Sequence, residues 1–176
     1  MGQTISYSLT QFEVDELIEL SNGCFTQAEI EALYKRFRSL DRGRKGFITA
    51  DELLSIPELS INPLSKRLAY FYDGINFREF VKMLAPYSSK ATRDDKIRHL
   101  FAIWDVDGDG IVSKEDMDLI VRQAGGSTLT DNEVAAVVGR VFENAGAGEK
   151  GLDLPQFKSA LERTPVGLLV EIPVGY

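Results

Sequence analysis

The chain has 176 residues, of which 44% are hydrophobic, and this is enough for one or two compact units with packed cores. Its formal net charge of −7 disfavours nucleic acid as a partner, because phosphate backbones are bound through clustered lysine and arginine side chains. The single cysteine, Cys24, excludes an internal disulfide and suits a reducing compartment. With neither a signal-peptide pattern nor an apolar run of the roughly 20 residues that span a bilayer, the sequence predicts a cytoplasmic protein.

The N-terminus carries a modification pattern. Residues 1–6, Met-Gly-Gln-Thr-Ile-Ser, fit the M-G-x-x-x-[ST] myristoylation motif, with Gly2 as the acyl acceptor. One myristoyl chain binds membranes only weakly, and residues 1–34 contain acidic but no basic side chains, so anionic lipid repels them. The motif therefore predicts either weak, reversible contact with a membrane surface or an acyl chain packed against protein.

Helix-start signals recur along the chain and predict a largely helical protein. Each pairs a hydroxyl residue with an acid three positions later, which is the spacing of a capping box, or places an asparagine before a proline. Apolar residues follow at intervals of three and four, as in helices that bury one face. Residues 86–92 interrupt the pattern and are predicted to connect two lobes. The starts are Thr10 with Glu13, Thr26 with Glu29, Thr49 with Glu52, Asn62-Pro63, Ser113 with Asp116 and Thr130 with Glu133.

One segment carries a specific metal-binding motif. Residues 105–116, Asp-Val-Asp-Gly-Asp-Gly-Ile-Val-Ser-Lys-Glu-Asp, match positions 1 to 12 of the EF-hand loop, except that the last ligand is Asp rather than Glu. The side chains of Asp105, Asp107 and Asp109 can converge on one cation because the glycine at position 6 turns the loop sharply. The carbonyl of Ile111 is the expected backbone ligand, and helices are predicted on both sides of the loop.

The closing ligand determines which metal the loop favours. Asp116 is one methylene shorter than Glu and reaches two-oxygen coordination less easily. Ca²⁺, which takes six to eight oxygen ligands, loses more from this change than Mg²⁺, which prefers six. The sequence therefore predicts one Ca²⁺ site, in the third of four loops, with weakened affinity and competition from Mg²⁺.

Three further segments keep parts of the EF-hand frame without its ligands. Residues 41–52 have glycine at position 3 and Lys45 at position 5, so no metal is expected there; the Lys45 ammonium either occupies the vacant cage or points into water. A segment at about 68–79 has leucine and tyrosine at the ligand positions. A segment at about 143–156 ends in neutral Gln156, which offers no carboxylate at position 12. This loop begins at Ala145 or at Glu143, depending on where the preceding helix ends.

These segments together predict an all-α fold of two lobes and four EF-hands. Residues 1–86 form the N-terminal lobe with two degenerate hands, and residues 92–176 form the C-terminal lobe with one intact and one degenerate hand. The C-terminal lobe also carries an apolar tail, residues 166–174, which either occupies a partner groove in the free protein or closes the lobe. Short β pairings between neighbouring loops are predicted at Phe47-Ile48, Ile75, Ile111-Val112 and Leu152.

An enzyme is not predicted. His99 is the single histidine and lies in a predicted helix, where packing or exposure to solvent explains it better than catalysis. Cys24 has no nearby candidate base, and the sequence has no glycine-rich phosphate loop.

Several segments outside the metal loop resemble the calcineurin B family, and the resemblance covers nearly the whole chain. It is densest at Thr26, Glu29-Ile30, Lys35-Arg36-Phe37, Leu40-Asp41, Ser55-Ile56-Pro57-Glu58-Leu59, Asn62-Pro63-Leu64 and Arg67. The resemblance implies a four-hand fold, an acylated Gly2 and a regulatory role in which an apolar groove binds an amphipathic helix of a partner such as a Ser/Thr phosphatase catalytic subunit. It also carries over Asp105, Asp107, Asp109, Ile111 and Asp116 as metal ligands.

Related proteins imply alternative partners. The shortened second hand is similar to that of calcineurin B homologous proteins, which chaperone the tails of membrane exchangers, and plant relatives regulate kinases. This chain keeps one working loop where calcineurin B has four. A calcium-insensitive or Mg²⁺-filled structural adaptor is therefore the alternative to a calcium-responsive regulatory protein.

Overall fold

The computed structural model describes residues 8–56, 64–125, 128–148 and 150–162. Within these ranges the chain forms nine α-helices and two short strands, which confirms the predicted all-α fold with small β pairings. A 3-10 turn, Ala85–Tyr87, follows the fifth helix. The elements are α1 (Gln11–Leu20), α2 (Gln27–Leu40), β1 (Phe47–Ile48), α3 (Ala50–Leu54), α4 (Ser65–Phe71), β2 (Ile75–Asn76), α5 (Phe77–Leu84), α6 (Arg93–Trp104), α7 (Lys114–Gly125), α8 (Asp131–Ala145) and α9 (Leu154–Ala160).

The helices after α1 follow one another as four helix–loop–helix hands. The first hand is α2, residues 41–52 and α3, and the second is α4, β2 and α5. The third is α6, residues 105–116 and α7, and the fourth is α8 and α9 with the segment between them. Inside the described ranges, no helix is both long and apolar enough to cross a membrane.

Capping boxes begin the helices where the sequence predicted them. At α2 the Thr26 hydroxyl accepts from the backbone N–H of Glu29, and the Glu29 carboxylate accepts from the backbone N–H of Thr26 over 2.7 Å. These bonds satisfy backbone donors that the first turn of a helix leaves without partners. The same arrangement caps α1 at Thr10 and α8 at Thr130. The predicted start at Asn62-Pro63 lies outside the described residues.

The described chain divides into two compact units. Unit 1 contains residues 8–53 and 72–91, and unit 2 contains residues 54–56, 64–71 and those from 92 onward. The helix α4, which the sequence assigned to the N-terminal lobe, thus groups with unit 2. Within unit 2 the Arg67 side chain of α4 reaches α6, where its Nε donates to the carbonyl of Ile103 over 3.2 Å.

The core of unit 1 is aromatic. The ring centroid of Phe37 on α2 lies 5.4 Å from that of Phe77 and 5.6 Å from that of Phe80, both on α5. Beside this cluster β1 pairs antiparallel with β2, with Ile48 opposite Ile75, and both side chains are buried. The pairing joins the first two loops, as the sequence predicted.

The core of unit 2 is built on the third and fourth hands. Val112 and Leu152 exchange two backbone hydrogen bonds of 2.8 and 3.0 Å, which confirms the predicted contact between these loops. The ring of Phe157 on α9 packs against those of Phe101 and Trp104 on α6, with centroids 5.4 and 6.2 Å apart. The loop 105–116 is therefore held by packed helices and by a paired loop.

Candidate metal centre

The loop 105–116 begins where α6 ends. The backbone N–H of Asp105 makes the last bond of α6, to the carbonyl of Phe101 over 2.8 Å, and the chain then leaves the helix. Gly108 and Gly110 have φ of 74° and 87°, a region that side chains other than glycine rarely adopt. These two turns fold the loop back on itself and bring its aspartates to one side.

Three of the predicted ligands lie together. One carboxylate oxygen from each of Asp105, Asp107 and Asp109 falls within 4.8 Å of the others. Asp105 is buried and its two oxygens accept from the backbone N–H groups of Gly108 and Gly110, over 2.8 and 2.9 Å, so its orientation is set by the loop. Three convergent carboxylates form an oxygen-rich site that fits a hard divalent cation such as Ca²⁺ or Mg²⁺.

The predicted closing ligand, Asp116, is not part of this group. It is buried at the start of α7, where Oδ1 accepts from the backbone N–H of Val106 over 3.2 Å. Its Oδ2 accepts from the backbone N–H and the hydroxyl of Ser113, over 2.9 and 2.7 Å. Asp116 thus closes the loop by hydrogen bonds at both of its oxygens.

The first loop has the same hydrogen-bond frame. Asp41 at position 1 accepts from the backbone N–H of Gly46 at position 6 over 2.7 Å, as Asp105 does from its counterpart. Glu52 at position 12 accepts from the backbone N–H groups of Arg42 and Thr49, at positions 2 and 9, over 3.2 and 3.0 Å. The two loops therefore share a hydrogen-bond frame, but in the described part of the chain only the loop 105–116 brings three aspartate carboxylates together.

The Lys45 side chain fills the first loop. Its Nζ lies 3.0 Å from Asp41 Oδ1 and 2.8 and 3.0 Å from the two oxygens of Glu52. Of the two alternatives that the sequence left open, the structure shows the ammonium in the cage. Hydrogen bonding to Lys45, together with that from Thr49, lowers the pKa of Glu52 to about 2.

Comparison with known proteins gives the family. A family model for an EF-hand domain pair matches residues 30–122. The type 2 calcineurin B protein of Dictyostelium discoideum is 36% identical over 167 residues, covering 92% of this chain and 90% of that protein. The chain belongs to the calcineurin B family of EF-hand proteins. Calcineurin B of Candida glabrata is 36% identical, covering 87% of this chain and 90% of its own, and that of Naegleria gruberi is 34% identical, covering 92% and 93%.

Among the residues that the structure describes, the second and fourth loops hold no cluster of acidic side chains like that of the third. In the second hand α4 continues to Phe71, and Glu79 caps α5 by accepting from the backbone N–H of Asn76 over 2.8 Å. In the fourth hand α8 continues to Ala145, beyond the alternative end at Phe142. At the start of α9 the side-chain amide oxygen of Gln156 accepts from the backbone N–H of Asp153 over 3.0 Å. Both hands thus keep two helices and a β contact with the neighbouring loop.

The structure adds one residue to the site that the sequence did not connect with it. Arg67 is buried on α4, and its Nη2 donates to the carbonyls of Asp105 and Val106, over 3.2 and 3.4 Å. A buried arginine thus supports the first two residues of the metal loop from outside the ligand cluster. The only sequence signal for Arg67 was its place in the family resemblance, because the contact joins residues far apart in the chain.

The two residues that the sequence analysis weighed for catalysis, Cys24 and His99, are both at least partly buried in the fold. Cys24 is buried, and its carbonyl accepts from the Ser88 hydroxyl over 2.8 Å. His99 lies half-buried on α6, and burial lowers its pKa to about 4, so its imidazole is neutral at physiological pH. Gly2 and the tail 166–174 lie outside the described residues.

Proposed function

We propose that this protein is a non-enzymatic regulatory subunit that binds one Ca²⁺ ion in its third hand and an amphipathic helix of a Ser/Thr phosphatase catalytic subunit. The observation that carries the proposal is the convergence of Asp105, Asp107 and Asp109 in a chain of the calcineurin B family. The ion is a resident ligand of the loop, and the phosphatase chemistry belongs to the partner.

The ligand set follows from the loop frame. Asp105, Asp107 and Asp109 supply side-chain oxygens, Ile111 supplies its carbonyl, and Asp116 closes the loop. A bound cation supplies the positive charge that compensates the carboxylates at this distance. The hydrogen bonds that Asp116 already makes to Val106 and Ser113, and its shorter side chain, support competition by Mg²⁺.

The partner is inferred from the relatives and from charge. Relatives in Dictyostelium, Candida and Naegleria are calcineurin B proteins, which supports a phosphatase catalytic subunit as the protein to be bound. The net charge of −7 favours a helix with basic residues beside its apolar face and disfavours nucleic acid. We place the protein in the cytoplasm, with weak and reversible membrane contact through myristoylated Gly2.

A second function has specific support. Lys45 occupies the first loop and Asp116 weakens the third, which together favour a Mg²⁺-filled structural adaptor that binds its partner at resting calcium. Its partner would be the same phosphatase, a membrane-exchanger tail or a kinase. The two functions differ in whether calcium changes the protein at physiological Mg²⁺.

Calorimetric titration tests the metal site. Ca²⁺ is titrated with and without Mg²⁺ while Trp104 fluorescence is recorded, because Trp104 directly precedes Asp105 and packs on Phe157. One Ca²⁺ site that survives Mg²⁺ and changes the fluorescence supports the calcium-responsive function. Filling by Mg²⁺ without further change supports the adaptor. Absence of binding, or binding that persists in Asp105→Ala, contradicts the assigned site.

Affinity capture from the source cell tests the partner. The tagged protein is captured with and without chelator, and bound proteins are identified by mass spectrometry. A phosphatase catalytic subunit supports the proposal, whereas an exchanger or a kinase replaces it with one of the alternatives. The mass of the purified chain shows directly whether Gly2 is acylated, with Gly2→Ala as the control.

A further inference from the structure

The first hand keeps the hydrogen-bond frame of the metal loop. Its frame bonds from position 1 to position 6, and from position 12 to positions 2 and 9, match those of the loop 105–116. Within this frame the carboxylates of Asp41 and Glu52 face each other, and oxygens of both lie within 3.0 Å of the same atom, Lys45 Nζ. Two carboxylates this close repel each other unless a cation lies between them.

The chain itself provides that cation. Lys45 Nζ lies within 3.0 Å of three carboxylate oxygens, and the Phe47 ring centroid lies 5.3 Å from the same atom. Asp41 is almost fully buried and Glu52 is only 14% exposed. The ammonium is therefore partly shielded from solvent by the groups that a metal ion would contact.

The residue at position 3 is adapted to this arrangement. A Cβ atom added at Gly43 would lie 3.1 Å from Cγ of Lys45 and 3.4 Å from its Nζ. The backbone of Gly43 has no positive φ that would require glycine for conformational reasons. A side chain at position 43 would therefore make the folded lysine side chain shift by a few tenths of an ångström, whereas glycine leaves it that room.

The ammonium and the two carboxylates in the cage shift one another's pKa values. Hydrogen bonds to Glu52 and Asp41 raise the pKa of Lys45. Burial alone would raise the pKa of Asp41, but donation from the backbone of Lys45 and Gly46 and from the ammonium lowers it. All three groups are therefore charged over the whole physiological pH range.

We propose that the first hand is a cation site occupied by the ammonium of Lys45, which keeps this loop in its filled form at every calcium concentration. The hand is thus self-liganded rather than empty. Its two carboxylates remain competent ligands, and a divalent ion binds them once the ammonium is removed. The proposal concerns unit 1 alone and stands whether or not the third hand binds calcium.

The first experiment measures the loop without metal. Hydrogen exchange of the peptide containing residues 41–52 is followed by mass spectrometry in chelator, for the full chain and for Lys45→Gln. The matched control is Arg44→Gln, which removes the same charge from an exposed side chain in the same loop. We expect exchange in Lys45→Gln to be roughly tenfold faster or more, with Arg44→Gln unchanged, because several charge-assisted bonds are lost only in the first.

The second experiment asks whether the vacated cage takes a metal. Lys45→Asp replaces the ammonium with a carboxylate at a ligand position, and Arg44→Asp makes the same charge change at a position that supplies no ligand. Both are made in the Asp105→Ala background, which removes the third-hand site from the titration. We expect one Ca²⁺ to bind per chain in the Lys45→Asp protein and none in the Arg44→Asp protein, with Ca²⁺ slowing exchange of residues 41–52 only in the former.

Two results overturn the proposal. Equal exchange rates for Lys45→Gln and Arg44→Gln in chelator show that the ammonium does not hold the loop. Equal Ca²⁺ binding by the two Asp variants shows that the cage is not a cation site. If Lys45→Asp fails to fold, the Gln pair still decides whether the ammonium holds the loop, because Gln introduces no further negative charge, and Ca²⁺ titration of Lys45→Gln against Arg44→Gln tests the vacated cage.

Discussion

Arg67 Nη2 donates to the main-chain carbonyl of Asp105, over 3.2 Å, and so joins α4 to the first residue of the metal loop. The same guanidinium reaches Ile103 through Nε and Val106 through Nη2. Carbonyls at the end of a helix carry partial negative charge, and a buried cation there stabilises the exit of α6. The third hand is thus positioned by a helix that belongs to its neighbour in sequence.

Replacing Arg67 is expected to weaken both unit 2 and its metal loop. Arg67→Met keeps a long apolar chain but removes donors to three carbonyls, which we expect to lower the free energy of unfolding by roughly 2–4 kcal/mol. Urea unfolding followed by Trp104 fluorescence measures this, and calorimetry measures the accompanying loss of Ca²⁺ affinity. Lys66→Met, on the exposed side of α4, is the control. Equal stability of the two variants would contradict a structural role for the guanidinium.

Lengthening the closing ligand is expected to favour calcium. Asp116→Glu adds one methylene, which allows a closer approach to the aspartate cluster, and we expect Ca²⁺ affinity to rise roughly tenfold, or about 1.4 kcal/mol. Mg²⁺ affinity should rise less, because Mg²⁺ gains little from a second carboxylate oxygen. Competitive calorimetry measures both. Asp118→Glu adds the same methylene on α7 at a residue paired with Arg122, so it should leave both affinities unchanged. An equal rise in Ca²⁺ affinity in both variants would contradict the assignment of position 116 as the closing ligand.

The pairing of the third and fourth loops depends on one glycine. Gly151 has φ of 140°, and a Cβ atom there would lie 2.5 Å from the carbonyl oxygen of Val112. Gly151→Ala must therefore disturb the Val112–Leu152 bridge, and we expect a loss of about 1–3 kcal/mol in stability. Thermal unfolding measures it. Gly148→Ala, where a Cβ meets no atom within 4 Å, should have little effect, and a comparable loss there would show that the strain lies elsewhere.

Acid should destabilise unit 2 through His99. Burial lowers the pKa of His99 to about 4 from an ordinary value of 6.5, so between these values the unfolded chain binds more protons than the folded one. The stability associated with the neutral imidazole is fully present above about pH 6.5 and is lost as the pH falls toward about 4. Urea unfolding at several pH values in this range should show a smaller decline for His99→Gln than for the natural chain. Identical declines would mean that carboxylates alone cause the acid sensitivity.

The sequence alone determined those parts of the fold that depend on residues close together in the chain. The capping box at Thr26 and Glu29, the alternation of helices and loops, and the β contacts at Ile48 and Val112 each depend on patterns of residues a few positions apart. The convergence of Asp105, Asp107 and Asp109 was predictable for the same reason, because glycine turns fold the loop within five residues. Spacing alone is sufficient where the interacting groups are close in the chain.

The tertiary structure decided what depends on long side chains and distant partners. A lysine in a loop can reach solvent or a neighbouring carboxylate, and only the placement of Asp41 and Glu52 around Nζ shows that Lys45 lies in the cage. Arg67 stabilises a loop that begins 38 residues later in the chain, and no local pattern predicts such a contact. Spacing identified Asp116 as a ligand position, but the direction of its carboxylate follows from the folded backbone that donates to it.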